Sequence, residues 1–318
     1  MSGVAEVALS MRGVRKSYGR LQSKVALAGL DLAVPTGSIC AFIGPNGAGK
    51  TTAFSVVCGY LRPDAGQVDI LGEGPFEAAR FKGRLGVLPQ DAELGLRHTP
   101  LEFLEHLGRL QGMSGRAARS GAKRLLERLN LGDRERDYIG VLSHGMRRRV
   151  AVASALLGEP ELVLLDEPMS GLDPEQVASL RSFLGEQRGR RTLLISSHNL
   201  AELDLLCDHT ILLDRGRCTF SGPIGALTGR DLQAQWLLGP GLLDLSVLRA
   251  QLPAHSFELV GELLIQEAPS AQELDASSLV IAGILAAAGI PIRELRRGKS
   301  LERGYLEASR ESISAIQL

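Results

Sequence analysis

Short apolar runs alternate with longer helical patterns along the first 225 or so residues. The runs that predict buried strands are Ile39–Ile43, Leu85–Leu88, Leu162–Leu165 and Thr192–Ser196. The last two are almost wholly aliphatic, as is typical of central strands buried on both faces. Strands that alternate with helices favour a largely parallel sheet covered by helices, so the predicted class is α/β.

Between the second and third of these strands the pattern becomes helical. Leucines recur at helical spacing at Leu101, Leu104, Leu107 and Leu110, and Ala122–Leu129 repeats the theme. This stretch, about residues 91–158, is predicted to be a helical insertion in the sheet domain.

A boundary rich in Gly and Pro lies near Ser221–Gly229. Beyond it the pattern predicts strand, helix, strand, strand, helix and strand, with a final helix at about Leu301–Ser309. That order is typical of a small ferredoxin-like α+β unit, with Ile281, Ile284, Leu285 and Ile290 as expected core residues. We therefore predict two domains, residues 1–225 and 226–318. The second carries no phosphate-binding motif, so an accessory or regulatory role is expected.

Composition and charge exclude several classes of function. The 318 residues include 36 Lys+Arg and 36 Asp+Glu, and only 4% are aromatic. No basic excess or stacking surface is therefore available, and no nucleic-acid partner is expected. The four cysteines, Cys40, Cys58, Cys207 and Cys218, have no metal-ligand spacing, which favours buried free thiols.

Neither a secretion signal nor a membrane span is predicted. Met1–Lys16 lacks an uninterrupted apolar core, and the longest apolar run, Leu279–Ile290, is short of the roughly 20 residues that a bilayer requires. A cytoplasmic protein is expected.

The pattern G-x-x-x-x-G-K-[ST] is filled between a predicted strand and a predicted helix. Its residues are Gly44, Pro45, Asn46, Gly47, Ala48, Gly49, Lys50 and Thr51. Such a loop wraps a polyphosphate with backbone N–H groups, so glycines are expected to keep the approach open. Lys50 would contact the β- and γ-phosphates, Thr51 would contact Mg²⁺, and Thr52 can donate to the α-phosphate. The preceding strand is predicted at Ser38–Ile43 and the following helix at Thr51–Tyr60.

Two carboxylates, Asp166 and Glu167, follow the aliphatic run Leu162–Leu165. In an enzyme with a phosphate loop, the first acid at such a strand end orients the Mg²⁺ shell. The second can polarise a water for attack on the γ-phosphate. Asp166 is thus a predicted metal residue and Glu167 a predicted catalytic residue.

With these motifs in this order, residues 9 to about 225 resemble the ATP-binding subunits of ABC transporters. The resemblance implies that Tyr18 stacks on adenine and that Gln90 reaches Mg²⁺ and the attacking water. It also implies that His198 contacts the γ-phosphate. Ser170–Asp173 resembles the loop that bridges two subunits, with Asp173 as its key acid.

The family's signature, usually Leu-Ser-Gly-Gly-Gln, is matched in part by Leu142–Met146. Ser143 and Gly145 keep the hydroxyl and the free N–H groups that meet a partner subunit's γ-phosphate at a helix N-terminus. His144 and Met146 depart from the pattern, which puts the rate of hydrolysis in question more than the family.

The tail Ser300–Glu307 resembles the segment that closes the accessory domain of exporter subunits. The resemblance as a whole implies an ATPase that uses ATP and Mg²⁺, pairs head to tail as a homodimer and drives a separate membrane permease. The permease contact is expected at about Asp91–Leu110, which would hold the protein at the inner face of the cell membrane. An importer subunit and a soluble ABC ATPase that acts outside transport remain the alternatives.

Overall fold

The computed structural model describes residues 6–19, 24–229 and 232–316, with side chains described as far as residue 308. The chain divides into two compact units, Met1–Ser221 and Gly222–Leu318. The division falls at 221/222, against the predicted 225/226. Residues 1–5, 20–23, 230–231 and 317–318, which belong to the predicted domains and include the start of Met1–Lys16, lie outside the described residues.

Among the residues described, the first unit contains nine strands, the last of which continues past Ser221, and seven α-helices, besides two short 3₁₀ helices at Gly132–Arg134 and Ile139–Val141. Its strands are β1 (Val7–Tyr18), β2 (Lys24–Pro35), β3 (Ile39–Ile43), β4 (Ala65–Ile70), β5 (Leu85–Leu88), β6 (Leu162–Asp166), β7 (Thr192–Ser196), β8 (His209–Asp214) and β9 (Arg217–Pro223). Its helices are α1 (Lys50–Val57), α2 (Ala78–Phe81), α3 (Pro100–Leu110), α4 (Gly115–Arg128), α5 (His144–Leu156), α6 (Pro174–Gly185) and α7 (Leu200–Leu206).

The central sheet has the strand order β5-β6-β7-β3-β8-β9. The pairs β5–β6, β6–β7, β7–β3 and β3–β8 are parallel. Strands β3, β6 and β7 are buried at every position, as their aliphatic sequences predict. Because these three strands are adjacent and parallel, the segments that follow them emerge at one edge of the sheet.

A second sheet, antiparallel with the order β2-β1-β4, completes the main core. Its buried side chains, such as Leu9 and Leu30, belong to the same apolar cluster as Phe42 and Phe54. This packing places the end of β1, at Tyr18, beside α1.

The predicted helical insertion is present, and its helices begin at side-chain caps. Thr99 and Glu102 form a reciprocal capping box at α3, and Ser114 and Ser143 cap α4 and α5. Because Ser114 provides that cap, α4 begins at Gly115, and it contains all but the last residue of the helical stretch Ala122–Leu129.

The predicted end of α1 at Tyr60 is wrong, since the helix ends at Val57. Cys58 is its C-terminal cap, and Gly59 follows with φ of 73°. A glycine in this left-handed conformation commonly ends a helix.

The second unit begins with a short helix that was not predicted, α8 (Ile224–Thr228), and the predicted order of elements follows it. These elements are β10 (Gln233–Leu238), α9 (Leu245–Gln251), β11 (Ser256–Val260), β12 (Leu263–Glu267), α10 (Ala271–Ala287), β13 (Ile292–Arg297) and α11 (Leu301–Ile316). The antiparallel sheet has the order β11-β12-β10-β13, which is the arrangement of a ferredoxin-like unit.

The core of the second unit surrounds Trp236, whose Nε1 donates to Gln266 Oε1 at 3.3 Å. Of the expected core residues, Ile281, Leu285 and Ile290 are buried, and Ile284 packs against them partly buried.

Two further expectations concern cysteines and membrane spans. All four cysteines are free, and Cys40, Cys58 and Cys207 are buried, whereas Cys218 is only half-buried. Across the described ranges, none of the helices combines the length and the apolar character needed to cross a bilayer.

Candidate functional site

A cavity of about 330 Å³ lies in the first unit, at the edge of the central sheet where β3 and β6 end. Ten of the predicted site residues line it: Tyr18, Asn46, Gly47, Gly49, Lys50, Thr51, Thr52, Gln90, Asp166 and Glu167. Lys24, Val25 and Ala26, at the start of β2, complete the wall. Segments that are up to 149 residues apart in sequence, from Tyr18 to Glu167, thus converge on one site.

The loop between β3 and α1 requires glycine for different reasons at different positions. A Cβ on Gly44 would collide with the carbonyl oxygen of Leu213, and one on Gly49 would lie 2.6 Å from that of Ala26. Gly49 also has φ of 110°, which side chains strongly disfavour. Of the three glycines in this loop, only Gly47 faces open space. Close packing on the protein, more than room for a ligand, therefore explains Gly44 and Gly49.

Backbone carbonyl oxygens of this loop hold the side chain of Lys50 in place. Its Nζ donates to the carbonyl oxygens of Gly44 at 2.6 Å and of Pro45 at 3.2 Å. Burial lowers the pKa of Lys50 from its ordinary value, and the carboxylates of Glu167 and Asp166 oppose that shift. The result is a partly desolvated cation at the mouth of a backbone cradle, which suits a phosphate.

The acid pair is anchored by β7, the neighbouring strand. Ser196 Oγ donates to Asp166 Oδ1, and the backbone N–H of Glu167 donates to the carbonyl oxygen of Ser196 at 3.1 Å. Glu167 has φ of 52°, a left-handed conformation that is uncommon for residues other than glycine. Its Oε2 accepts a hydrogen bond of 2.7 Å from Nδ1 of His198. The structure thus joins two residues that the sequence separates.

Two other predicted residues lie at the rim of the cavity. Tyr18 Oη is 3.3 Å from Thr52 Oγ1, so the ring at the end of β1 lies beside the first turn of α1. Gln90, just after β5, is exposed, and its carbonyl oxygen accepts from Arg148 at 3.1 Å.

Pro45 and Ala48 support the loop without lining the cavity. Pro45 accepts through its carbonyl oxygen from Ala48 N at 3.1 Å, and Ala48 is buried, with its carbonyl oxygen accepting from Gly216 N at 2.8 Å.

The remaining predicted residues, Ser143, Gly145 and Asp173, form a separate cluster. Ser143 Oγ accepts from the backbone N–H of Met146 at 3.2 Å at the start of α5, and Asp173 caps α6 in the same way through Gln176. A Cβ added to Gly145 would collide with the side chain of Gln176. The signature-like segment and the Ser170–Asp173 loop are therefore packed against each other, away from the chain's own cavity.

Sequence reasoning missed two residues that organise the site. Ser196 ends β7 and bonds both Asp166 and Glu167. Arg148, on α5, donates to the carbonyl oxygens of Asp166 and Glu167. The hydroxyl at the end of the strand before His198 could have indicated Ser196. No sequence pattern indicates the role of Arg148, because its contacts are with backbone carbonyl oxygens.

Comparison with known proteins decides the family. A family model described as "ABC transporter" matches residues 27–170. The chain is 37% identical over 312 residues to the daunorubicin resistance ATP-binding protein DrrA3 of Streptomyces coeruleorubidus, across 95% of this chain and 96% of the relative. The chain belongs to the ABC transporter ATP-binding proteins.

Other similarities agree with this ABC family assignment. The Nod factor export ATP-binding protein I of Burkholderia lata is 37% identical over 265 residues, across 80% of this chain and 84% of the relative. A solved ATP-binding subunit of an ABC transporter superposes with a TM-score of 0.62 at 27% identity, across 70% of this chain and 92% of that one.

The fold, the family and the predicted activity are thereby confirmed: this is an ABC ATPase, which binds ATP and hydrolyses it to drive transport. ABC ATPase subunits work with separate transmembrane components and commonly dimerise.

Proposed function

We propose that this ABC ATPase powers an exporter, as a homodimer bound to a separate membrane permease at the inner face of the cell membrane. The names of its relatives, daunorubicin resistance and Nod factor export, support the direction of transport. The observation that carries the catalytic part is the 2.7 Å contact between Glu167 and His198 at the edge of a cavity that also contains Lys50.

ATP binding is assigned to the wall of this cavity. The N–H groups of the loop and of the first turn of α1 would receive the phosphates, with Lys50 as the cation. Thr52 would donate to the α-phosphate. Tyr18 offers its ring to the adenine at the end of the cavity beside Thr52.

The oxygen ligands around the loop fit Mg²⁺. Thr51 provides a hydroxyl, Asp166 a carboxylate and Gln90 an amide oxygen, and all three line the cavity. Among the described residues no cluster of three or more His, Cys, Asp or Glu could hold a metal. This agrees with an ion that takes most of its ligands from phosphate and water. When bound, Mg²⁺ would neutralise charge on the phosphates.

Glu167 is proposed to accept the proton of the attacking water, and His198 to orient that carboxylate and contact the γ-phosphate. Gln90 would help to place the water. The hydrogen bond from His198 limits the rotation of the Glu167 side chain, so the carboxylate is directed before the substrate arrives.

Ser143, Gly145 and Asp173 are proposed to act on the nucleotide of the second subunit. They do not line their own cavity, yet Ser143 stands at the exposed N-terminus of α5, where free N–H groups favour an anion. Closure of two copies head to tail would place this terminus on the partner's γ-phosphate, and hydrolysis would reopen the pair.

Mixing two inactive variants tests the head-to-tail arrangement. Ser143→Arg should leave ATP binding to the monomer intact and eliminate hydrolysis, and Lys50→Ala should be inactive alone. In an equimolar mixture half of the dimers would be mixed, each with one intact site, so activity should return to about a quarter of the wild-type rate. The measurement is phosphate release, with each variant alone as the control. A mixture as inactive as its components, or loss of ATP binding by monomeric Ser143→Arg, would contradict the arrangement.

The permease is proposed to contact the surface formed by Asp91–Leu110. A cavity of about 590 Å³ opens there beside Gln90, with Leu96 in its wall. Leu96 is 52% exposed, and Leu110, at the end of α3, is 59% exposed. Exposed apolar side chains commonly mark surfaces that bind another protein. Because Leu96 lies beside Gln90, a partner bound there could transmit its conformational state to the catalytic site.

Leu96→Asp should abolish co-purification with the proposed membrane permease, because a buried carboxylate would be left unpaired. The ATPase rate of the isolated protein should stay within about twofold, as for surface changes in general. Leu205→Asp, at a leucine of 66% exposure on α7, is the matched control. Equal retention of the membrane protein by both variants would place the contact elsewhere.

A further inference from the structure

Arg148 joins three parts of the ATPase site through backbone oxygens alone. Its Nη2 donates to the carbonyl oxygens of Asp166 at 2.6 Å and Glu167 at 2.7 Å, and its Nη1 donates to that of Gln90 at 3.1 Å. Arg148 is only 9% exposed. A planar guanidinium with several N–H groups can bridge such a set, whereas an ammonium on a flexible stem cannot hold the same fixed geometry.

The position of Arg148 on the chain makes this bridge informative. It lies in the second turn of α5, the helix that begins at Ser143 and Gly145. The N-terminus of this helix is therefore the segment proposed to contact the partner's nucleotide. Through Arg148, the same helix also binds the strand end that carries Asp166 and Glu167.

Placing the charged guanidinium of Arg148 in this buried position has a desolvation cost. Burial lowers the pKa of its guanidinium, while the carboxylates of Asp166, Glu167 and Asp91 oppose that shift. A buried cation that bonds carbonyl oxygens must be compensated by its neighbours. Here the compensation comes from Asp166 and Glu167 in the active site and from Asp91 beside Gln90.

The backbone at Glu167 explains what the bridge achieves. Glu167 has φ of 52°, and its N–H donates to Ser196 Oγ and to the Ser196 carbonyl oxygen, both at 3.1 Å. On the other side, Arg148 holds the carbonyl oxygens of Asp166 and Glu167. The uncommon conformation is thus restrained from β7 and from α5 together, and it directs the carboxylate toward His198.

We propose that Arg148 is a positioning residue for ATP hydrolysis. It fixes the backbones of Glu167 and Gln90 to the helix that reaches the partner's nucleotide, so that the water-activating groups are aligned when the dimer closes. The inference rests on the proposed roles of Glu167 and of the α5 N-terminus.

Arg148→Met tests the inference by removing all three hydrogen bonds while keeping a long, apolar stem. We expect kcat to fall about 100-fold, the loss typical of a 1 Å misplacement of catalytic groups. The Kd for a fluorescent ATP analogue should stay within about threefold, because the phosphate loop is untouched. Arg148→Lys should recover part of the turnover and lie about tenfold below wild type, since it restores a charge without the fork.

Arg191→Met is the matched control. Arg191 is also a desolvated guanidinium, with its pKa lowered by burial, and it donates to the carbonyl oxygen of Leu156 at 3.5 Å, at the opposite end of α5. Its loss should lower thermal stability and leave kcat within about threefold. A kcat loss at Arg148 that is matched at Arg191, or that comes with an equal loss of ATP affinity, would show a merely structural role and overturn the proposal.

Glu167→Gln in the same assay separates this inference from the proposed function. If Glu167→Gln is inactive while folded Arg148→Met turns over at the wild-type rate, the positioning role alone fails. If Glu167→Gln retains wild-type turnover, the assignment of Glu167 itself fails. Should Arg148→Met not fold, Arg148→Lys decides, and wild-type kcat in that variant would overturn the need for the guanidinium.

Discussion

Replacing Glu167 by Gln is expected to lower kcat for ATP hydrolysis by about 10²–10⁴-fold, the usual contribution of a positioned general base. The amide cannot accept the proton of the attacking water, yet it has the same size and keeps the contact distance to His198. ATP should still bind, because Lys50 and the loop are unchanged. Without hydrolysis the closed pair should persist. Size-exclusion chromatography with and without ATP should therefore show an ATP-dependent dimer beside the loss of phosphate release.

Glu159→Gln provides a matched control for this change. Glu159 is another glutamate with a left-handed backbone, at φ of 59°, and it does not line the cavity. Its replacement tests whether the same change at such a position alters turnover in general. If Glu159→Gln and Glu167→Gln hydrolyse ATP at the same rate, Glu167 has no place in the mechanism.

Lys50→Ala should abolish measurable hydrolysis and weaken ATP binding. A charge-assisted contact contributes about 1.5–3 kcal/mol, which corresponds to a rise in Kd of about 10–150-fold. The Gly44 and Pro45 carbonyl oxygens would also lose their donor, so the loop itself should become less ordered. Titration with a fluorescent ATP analogue measures the first effect and phosphate release the second.

The control is Lys82→Ala, at an exposed lysine outside the cavity. This variant removes one positive charge and should keep Kd and kcat within about twofold. Normal turnover by Lys50→Ala would mean that the loop between β3 and α1 is not the nucleotide site.

The loop between β3 and α1 could be located from the sequence because its information is contiguous. The aliphatic strand, the spacing of Gly44, Gly49 and Lys50, and the helix that follows are all local features. The reason for the glycines was not local. Gly44 and Gly49 pack against the carbonyl oxygens of Leu213 and Ala26, and those residues approach the loop only when β8 and β2 are in place.

Element boundaries show a similar division between local and tertiary information. The ferredoxin-like order of the second unit followed from apolar periodicity, and the sheet has the corresponding topology. The end of α1 was predicted wrongly. It is set by the left-handed Gly59, as the start of α4 is set by the capping Ser114, and hydrophobic periodicity does not report such effects of single residues.

The sequence by itself determined the class of fold, the family and the residue types that the chemistry needs, since each of these depends on order and spacing along the chain. Only the tertiary structure decided which of these residues touch. Parallel pairing of β6 with β7 brings Glu167 to His198, and the packing of α5 brings Arg148 to the carbonyl oxygens of Asp166, Glu167 and Gln90. Backbone oxygens are the same at every residue, so a contact with them leaves no mark in the sequence of the segment that accepts it.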